Sequence, residues 1–294
     1  MKTTTITSQL ALALLLTIPT VAGSGNSYTY LALGDSIPFG MNPLLLPPFA
    51  QTIPTPKQFV GFPETLAAAE HINVLNASCP GESSGSFLNI TAPDDGCNSP
   101  HLQPGPPPPP FKLSIGLKAN YTGAQMDFAV SQLQANPHIN LVTLTIGAND
   151  VLLVLAQCGT DTTCVQNGLN QALQAYAGNL ATILTQIRVH YKGTLIMTKY
   201  YSPSADLTPI AAAVNTVMTQ VAAQLATQKG FNPVLFADGF TAFQIASAPY
   251  NGDPCQAGLL IQLPPPNPPC DIHPSPRGRD LLAAVEGITQ LLGH

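Results

Sequence analysis

The 294-residue chain is poor in charge and contains no tryptophan. Charged residues make up 9% of the chain, whereas a typical soluble domain has about 25%. The formal net charge is −5, and lysine and arginine form no cluster. Because nucleic-acid binding requires a positive surface, we expect no nucleic-acid partner.

After the N-terminal region, the sequence contains no apolar run long enough to span a membrane. Residues 1–24 combine a basic start, an apolar stretch and the small residues Ala22-Gly23-Ser24, a pattern typical of a secretory signal. A membrane anchor is the alternative, but the stretch is shorter than the roughly 20 residues that a spanning helix needs. We therefore predict a signal peptide over 1–24, a secreted product without a stable membrane span, and a single domain over 25–294.

The six cysteines lack the spacing of a metal site, since no C-x-x-C or His-rich pattern accompanies them. An even number of cysteines in a secreted chain favours disulfides, although six cysteines allow 15 connectivities. We predict three local pairs, because each pair brackets a loop rich in Gly, Pro, Asn or Asp. These pairs are Cys79–Cys97, Cys158–Cys164 and Cys255–Cys270.

Short buried strands alternate with longer helical stretches along the rest of the chain, which predicts an α/β fold with a parallel sheet covered on both faces. The predicted strands cover 28–33, 72–75, 141–146, 194–198 and 233–236. The predicted helices cover 125–135, 165–190, 208–229 and 277–292. Two proline-rich stretches, 103–112 and 263–270, are expected to be extended surface loops.

The segment YTYLALGDSIPFG, residues 28–40, carries the first candidate nucleophile, Ser36. One interpretation is an ordinary helix start, with Asp35 or Ser36 as the N-cap and Pro38 in the first turn. The other is a serine delivered by a strand to a helix N-terminus, where backbone N–H groups point at a reacting atom. A rival serine, Ser83, lies in the G-x-S-x-G pattern GESSG, but the following residues 86–100 are expected to be a loop rather than the required helix.

Two further motifs supply groups that could assist a serine. Asn149, in TLTIGAND, is either a helix cap or a carboxamide whose N–H groups stabilise an oxyanion. His273, in CDIHPSPRG, is either a loop histidine or a general base that accepts and returns a proton.

In order along the chain, GDSI, NASCPGESS, IGAND and DIHP resemble the motifs of the SGNH (GDSL-type) hydrolases, which include secreted esterases, lipases and phospholipases. The resemblance covers essentially all of the chain after the signal. It implies a flavodoxin-like three-layer α/β/α sandwich with a central parallel sheet and no metal or organic cofactor. It also implies that Ser36 is the nucleophile and His273 the base, with an oxyanion hole formed by the backbone N–H groups of Ser36 and Gly81 and the side chain of Asn149. Asp35 would then be mainly structural.

One position departs from the family pattern. The acid usually stands three residues before the histidine, but that position is Cys270, and Asp271 stands two residues before His273. Either Asp271 orients the imidazole, which gives a triad, or a backbone carbonyl near Cys270 does so, which gives a dyad.

The predicted activity is hydrolysis of a lipid or small acyl ester through an acyl-enzyme, by a protein expected to be monomeric. The apolar loop 40–51 follows Ser36 and is either a core-packing loop or an apolar lip of the site. One alternative is a carbohydrate acetyl esterase on the same fold, and another is a non-catalytic secreted binding module. Asn-x-Ser/Thr motifs at Asn76, Asn89 and Asn120 matter only in a host that glycosylates secreted proteins.

Overall fold

The computed structural model describes residues 28–100 and 109–293, and the bounds below refer to these residues. The strands are β1 Tyr30–Gly34, β2 Val74–Asn76, β3 Leu141–Thr145, β4 Thr194–Thr198, β5 Leu235–Ala237, β6 Leu260–Gln262 and β7 Cys270–Pro274. The helices are α1 Ser36–Phe39, α2 Phe62–Glu70, α3 Ser84–Leu88, α4 Phe111–Ser114, α5 Gln125–Ala135, α6 Ala148–Cys158, α7 Thr162–His190, α8 Thr208–Ala226, α9 Gly239–Ser247 and α10 Pro276–Leu292. Short 3-10 turns cover Pro43–Leu45, Pro56–Gln58, Ala205–Leu207 and Ala248–Tyr250. The predicted signal lies outside the described residues, as does most of the proline-rich stretch 103–112.

Five strands form one parallel sheet in the order β2-β1-β3-β4-β5. This is the strand order of flavodoxin-like folds. Every residue of β1 and β3 is buried, which explains why their sequences are continuous apolar runs instead of alternating patterns. The predicted α/β fold with a central parallel sheet is confirmed.

Helices cover the sheet in two groups. On one side α10 packs against α2 and α9 and against strands β4 and β5. The other group is built around α7, which packs against α3, α5, α6 and α8. Together with the sheet these groups form the three layers of an α/β/α sandwich.

The strand order places β1 inside the sheet, between β2 and β3. The connection from β1 runs to β2 on one side, whereas β3 lies on the other side of β1. Ligand sites of open α/β sheets lie outside the carboxyl ends of the strands at such a reversal. Segments that follow β1, β2 and β3 therefore meet at one edge of the sheet.

A glycine is required where β1 ends against β3. Gly34 has a φ of 132°, and a Cβ atom there would stand 2.0 Å from the carbonyl oxygen of Thr145. The next residue uses this close approach, because the Asp35 N–H donates to the same Thr145 oxygen (3.1 Å). Only a residue without a side chain can turn the chain here toward α1.

The two remaining strands, β6 and β7, pair antiparallel in a small separate sheet. The sequence predicted a loop here, because residues 263–269 between the strands are mostly proline. These prolines do form the exposed connection of the hairpin, but Cys270–Pro274 is a strand. His273 therefore lies on a strand rather than in a loop.

All three disulfides pair as predicted, joining Cys79 to Cys97, Cys158 to Cys164 and Cys255 to Cys270. The last of these attaches the first residue of β7 to the segment before β6. Within the described residues, no helix has the length and apolar character needed to cross a membrane.

Candidate active site

Ser36 is the first residue of α1, directly after the turn at the end of β1. Asp35 is the N-cap, and its Oδ1 accepts a hydrogen bond from the Ile37 N–H (2.9 Å). Capping by Asp35 therefore places Ser36 at the helix N-terminus, so the two interpretations of this segment describe the same geometry. The Ser36 side chain is half-buried, and among the described residues the Ser36 N–H has no hydrogen-bond acceptor.

Asp35 is itself buried, and its Oδ2 accepts a hydrogen bond from the Tyr200 hydroxyl. Burial raises the pKa of this carboxyl to about 6, although the bonds from Tyr200 and Ile37 pull it back down. Both carboxylate oxygens are occupied by these bonds. Asp35 therefore supports the turn that carries Ser36.

Gly81 and Asn149 lie side by side on the segments that follow β2 and β3. The Asn149 Nδ2 donates to the backbone oxygen of Glu82 (2.8 Å), which uses one of its two N–H groups and leaves the other. Gly81 has a φ of 82°, and a Cβ there would stand 2.1 Å from the carbonyl oxygen of Asp95, so this turn also requires glycine. Within the described chain the Gly81 N–H has no acceptor, which leaves it available as a donor.

His273 and Asp271 stand two positions apart on β7. The Asp271 Oδ1 contacts the His273 Nδ1 and also accepts a hydrogen bond from the His273 backbone N–H (3.0 Å). Burial would raise the pKa of Asp271, but its hydrogen bond to and charge interaction with His273 outweigh burial and hold that pKa below its usual value. A carboxylate, and not a backbone carbonyl near Cys270, is the partner of the imidazole in this structure.

Helix α1 and strand β7 pack against each other, which brings Ser36 and His273 to the same region. Ser36, Asn149 and Ile272, the neighbour of His273, line a single cavity. Among the described residues no hydrogen bond joins the Ser36 hydroxyl to His273. Such bonds are often long in the absence of substrate.

The sequence of this chain matches the model of a protein family over most of its length. The model of the GDSL-like lipase/acylhydrolase family matches residues 32–281. The chain belongs to this family. No curated protein matches it.

Solved structures share the fold at low identity. A protein from Parabacteroides merdae, described as a GDSL-like lipase, has 13% identity and a TM-score of 0.51, over 91% of this chain and 97% of its own. The lipase Lip_vut3 from a goat rumen metagenome has 14% identity and a TM-score of 0.51, over 89% and 97%. At these identities the likeness shows the fold alone.

In this GDSL-like chain the hydroxyl of Ser83, the other candidate nucleophile, is already hydrogen-bonded. Ser83 is 3% exposed and caps α3, accepting from the Ser86 N–H (3.0 Å) and donating to the Pro93 oxygen (2.7 Å). The expectation that residues 86–100 form only a loop was wrong, because α3 extends to Leu88. Ser83 does open a helix, but it does so as a buried cap.

The wall of the cavity beside Ser36 is apolar. It is formed by residues of α6, by the segment after β4 and by α8, namely Val151, Leu152, Pro203, Leu207, Ile210, Ala211 and Val214. The apolar loop 40–51 belongs neither to this cavity nor to the hydrophobic core. The core-packing interpretation of that loop was therefore wrong, and the apolar surface that lines the cavity near Ser36 comes from other segments of the chain.

Two buried polar residues, Gln125 and Glu82, support the segments that carry the site, and the sequence analysis did not single them out. Gln125 accepts from the Gly34 N–H (2.6 Å) and donates to the Gly34 oxygen (2.9 Å) and to the Glu82 Oε2 (2.9 Å). Burial raises the pKa of Glu82 to about 7, although the Lys112 charge and the Gln125 and Ser86 bonds lower it. This chain of bonds connects the end of β1 to the loop of Gly81. The sequence signal that could have revealed this support is Glu82, a glutamate within the serine- and glycine-rich stretch GESSG of a chain with few charges.

One cluster of described residues has side chains close enough to share a metal ion, Cys79, Glu82 and Cys97. Both cysteines are in a disulfide and have no thiolate to offer a metal. This cluster is therefore part of the support of the loop and not a metal centre.

Proposed function

We propose that this GDSL-like protein is a serine ester hydrolase with Ser36 as nucleophile. The observation that carries the proposal is the Asp271–His273 pair on β7, packed beside the helix that begins at Ser36. In this assignment Asp271 fixes the imidazole through Nδ1, and the other nitrogen, Nε2, accepts the Ser36 proton.

The reaction proceeds in two halves. The Ser36 Oγ attacks the ester carbonyl carbon while His273 takes its proton, and the resulting oxyanion is stabilised by the Ser36 and Gly81 N–H groups and the Asn149 carboxamide. The C–O bond then breaks, and the alcohol leaves with the proton from His273. Water attacks the acyl-enzyme with His273 as base, which releases the acid and restores Ser36.

Replacement of Ser36 and of His273 tests this assignment. Ser36→Ala and His273→Ala should each reduce kcat for a p-nitrophenyl ester by at least about 10³-fold, because the nucleophile or its base is removed. Only proteins that retain Ser36 should be labelled by a fluorophosphonate. Ser83→Ala is the matched control and should keep kcat within about threefold while losing some stability through the missing cap. Activity that persists in Ser36→Ala would reject the assignment, and a wild-type protein without labelling or hydrolysis would favour a binding module.

We further propose that the substrate is an ester with an apolar acyl chain rather than a carbohydrate acetate. The apolar wall beside Ser36 supports this, since each buried CH₂ contributes about 0.8 kcal/mol, or roughly a fourfold gain in kcat/KM per methylene. A series of nitrophenyl esters from acetate upward should show this rise, and Leu152→Trp, which narrows the cavity, should suppress it. Highest activity on acetate and on acetylated xylan would instead favour the acetyl esterase.

Secretion and a monomeric state belong to the same proposal. Three disulfides are compatible with an oxidising compartment. Protein recovered from culture medium should begin near residue 23 or 25 by N-terminal sequencing, and light scattering should give the mass of one chain. A secreted product that still begins at residue 1, or a mass equal to two chains, would contradict these expectations.

A further inference from the structure

Two consecutive tyrosines, Tyr200 and Tyr201, lie between the two halves of the proposed active site. They follow β4 after a single residue and are almost fully buried, at 6% and 5% exposure. The carboxamide of Asn215 on α8 fixes their backbone, because it accepts from the Tyr200 N–H and donates to the Tyr200 oxygen, each at 2.8 Å. The backbone that carries the two tyrosines therefore has little freedom to move.

Tyr200 extends to the nucleophile side. Its hydroxyl donates to the Oδ2 of Asp35, while the other oxygen of Asp35 caps α1 through the Ile37 N–H. Asp35 directly precedes Ser36, so a shift of its carboxylate would rotate the first turn of the helix that carries Ser36.

Tyr201 extends to the base side. Its hydroxyl donates to the backbone oxygen of Ile272 (2.6 Å), the residue between Asp271 and His273. Its ring is stacked on the buried ring of Phe243, with centroids 4.1 Å apart and an angle of 14° between the planes. The hydroxyl is thereby held in place by packing as well as by the backbone.

We propose that Tyr200 and Tyr201 are positioning residues that jointly set the separation between the Ser36 hydroxyl and the His273 imidazole. Adjacent residues share one rigid stretch of backbone, so the two hydrogen bonds attach α1 and β7 to a common reference. Misplacement of a reacting group by about 1 Å can cost about 10²-fold in rate. The ordinary alternative is that each buried hydroxyl simply satisfies its need for a partner and contributes only stability.

Removal of single hydroxyl groups separates these possibilities. Tyr200→Phe and Tyr201→Phe should each lower kcat about tenfold with KM within about twofold, because the rings that line the cavity are kept. The rate of fluorophosphonate labelling of Ser36 should fall in parallel.

A matched control exists at the other end of β4. Tyr191 is also buried, at 6% exposure, and its hydroxyl donates to the Thr194 backbone oxygen (3.1 Å). Tyr191→Phe deletes the same kind of bond and should lower the melting temperature as much as Tyr201→Phe does, while leaving kcat unchanged. Equal losses of kcat in these two variants, or kcat within twofold of wild type in both Tyr200→Phe and Tyr201→Phe, would overturn the inference.

The pH profile supplies a readout that stability alone does not move. Protonation of Asp35 weakens the Ile37 N–H cap beside Ser36 and so contributes to the acidic limb of kcat. The Tyr200 hydrogen bond lowers the pKa of Asp35, so Tyr200→Phe should shift this contribution to higher pH, whereas Tyr201→Phe, which removes no hydrogen bond to Asp35, should leave it in place. The other ionisable groups that act on Asp35 stay unchanged in Tyr200→Phe; they are His273, Asp150, Tyr176 and Tyr201. An acidic limb that moves equally in both variants would count against separate roles.

The inference rests on the proposed function, and Ser36→Ala in the same series keeps the two apart. If Ser36→Ala stays active, the proposed function fails whatever the tyrosine variants do. If Ser36→Ala is inactive and both tyrosine variants keep full kcat, only the positioning role fails.

Discussion

Replacing Asp271 by asparagine separates the charge of this carboxylate from its hydrogen-bonding geometry. The Oδ1 of Asp271 accepts from the His273 backbone N–H and contacts the His273 Nδ1, and an asparagine oxygen can occupy the same position. In the proposed mechanism, Asp271→Asn removes the negative charge that stabilises the imidazolium formed when Ser36 gives up its proton.

The size of this loss follows from the contact. Opposite charges about 4 Å apart attract by about 4 kcal/mol at an effective dielectric constant of about 20, which corresponds to roughly 10³-fold in rate. The side chains of His273 and Asp271 are 13% and 23% exposed, so water screens part of this attraction. We therefore expect kcat to fall by about 10² to 10³-fold, with KM nearly unchanged.

The assay is steady-state hydrolysis of a nitrophenyl ester from pH 5 to 9, with melting temperatures to verify folding. Asp253→Asn is the matched control, because Asp253 caps a turn beside the Cys255–Cys270 disulfide, and an asparagine oxygen at the Oδ1 position still accepts from the Cys255 and Gln256 backbone N–H groups. Its kcat should stay within about twofold of wild type. If both Asp271→Asn and Asp271→Ala keep kcat within about fivefold, the carboxylate does not assist the base and the dyad alternative is favoured.

Two further predictions concern the rest of the molecule. Burial raises the pKa of Glu286 to about 8, and its Oε2 has no hydrogen-bond partner among the residues that the structure describes. Because the unfolded pKa is near 4.5, the folded state binds the extra proton between these values, and stability falls as the pH rises from about 4.5 to about 8, at up to about 1.4 kcal/mol per pH unit. Glu286→Gln should flatten the urea-unfolding free energy over this window, and parallel curves for both proteins would refute the shift. In a eukaryotic secretory host, mass spectrometry should find glycans on the exposed Asn89 and Asn120 but not on Asn76, which is 3% exposed and donates to Pro38 and Glu64; a glycan on Asn76 would contradict the packing of β2.

The elements that could be predicted from sequence are those whose pattern is set by burial. Strand β4 was predicted with its observed bounds, as was α5, and the other sheet strands differed by at most about two residues at either end. Completely buried parallel strands are continuous apolar runs, and long helices have an apolar stripe, so both can be recognised without knowledge of their neighbours.

The elements that were missed are short or break the propensity rules. Helix α3 consists of serine, glycine, phenylalanine and leucine, and it is held by the Ser83 cap and by contact with α7 rather than by helix propensity. Helices α2 and α9, of nine residues each, were also not predicted. The hairpin β6–β7 is joined by prolines, which argue against strands, and it is closed by the Cys255–Cys270 disulfide.

Identification of Ser36 as the candidate nucleophile required more than its own segment. Asp35-Ser36 alone fits a capped helix, and the structure has that cap. The resemblance to the GDSL-type family supplied Gly81 and assigned Asn149 to the predicted oxyanion hole, and in the structure the two residues lie on the segments that follow β2 and β3. Side-chain pairs that lie far apart in sequence, such as Tyr200 with Asp35, had no sequence signal, because a hydrogen bond between residues 165 positions apart exists only once the sheet has formed.

The unusual spacing of the proposed acid is explained by the strand that carries it. Residues two apart on a β-strand project to the same side, whereas residues three apart project to opposite sides. Because Cys270–Pro274 is extended, Asp271 can contact the His273 ring, and a carboxylate at position 270 could not do so without breaking the strand. Position 270 is instead occupied by a cysteine whose disulfide fixes the start of β7. The shorter spacing and the disulfide therefore both fit the extended strand that carries His273.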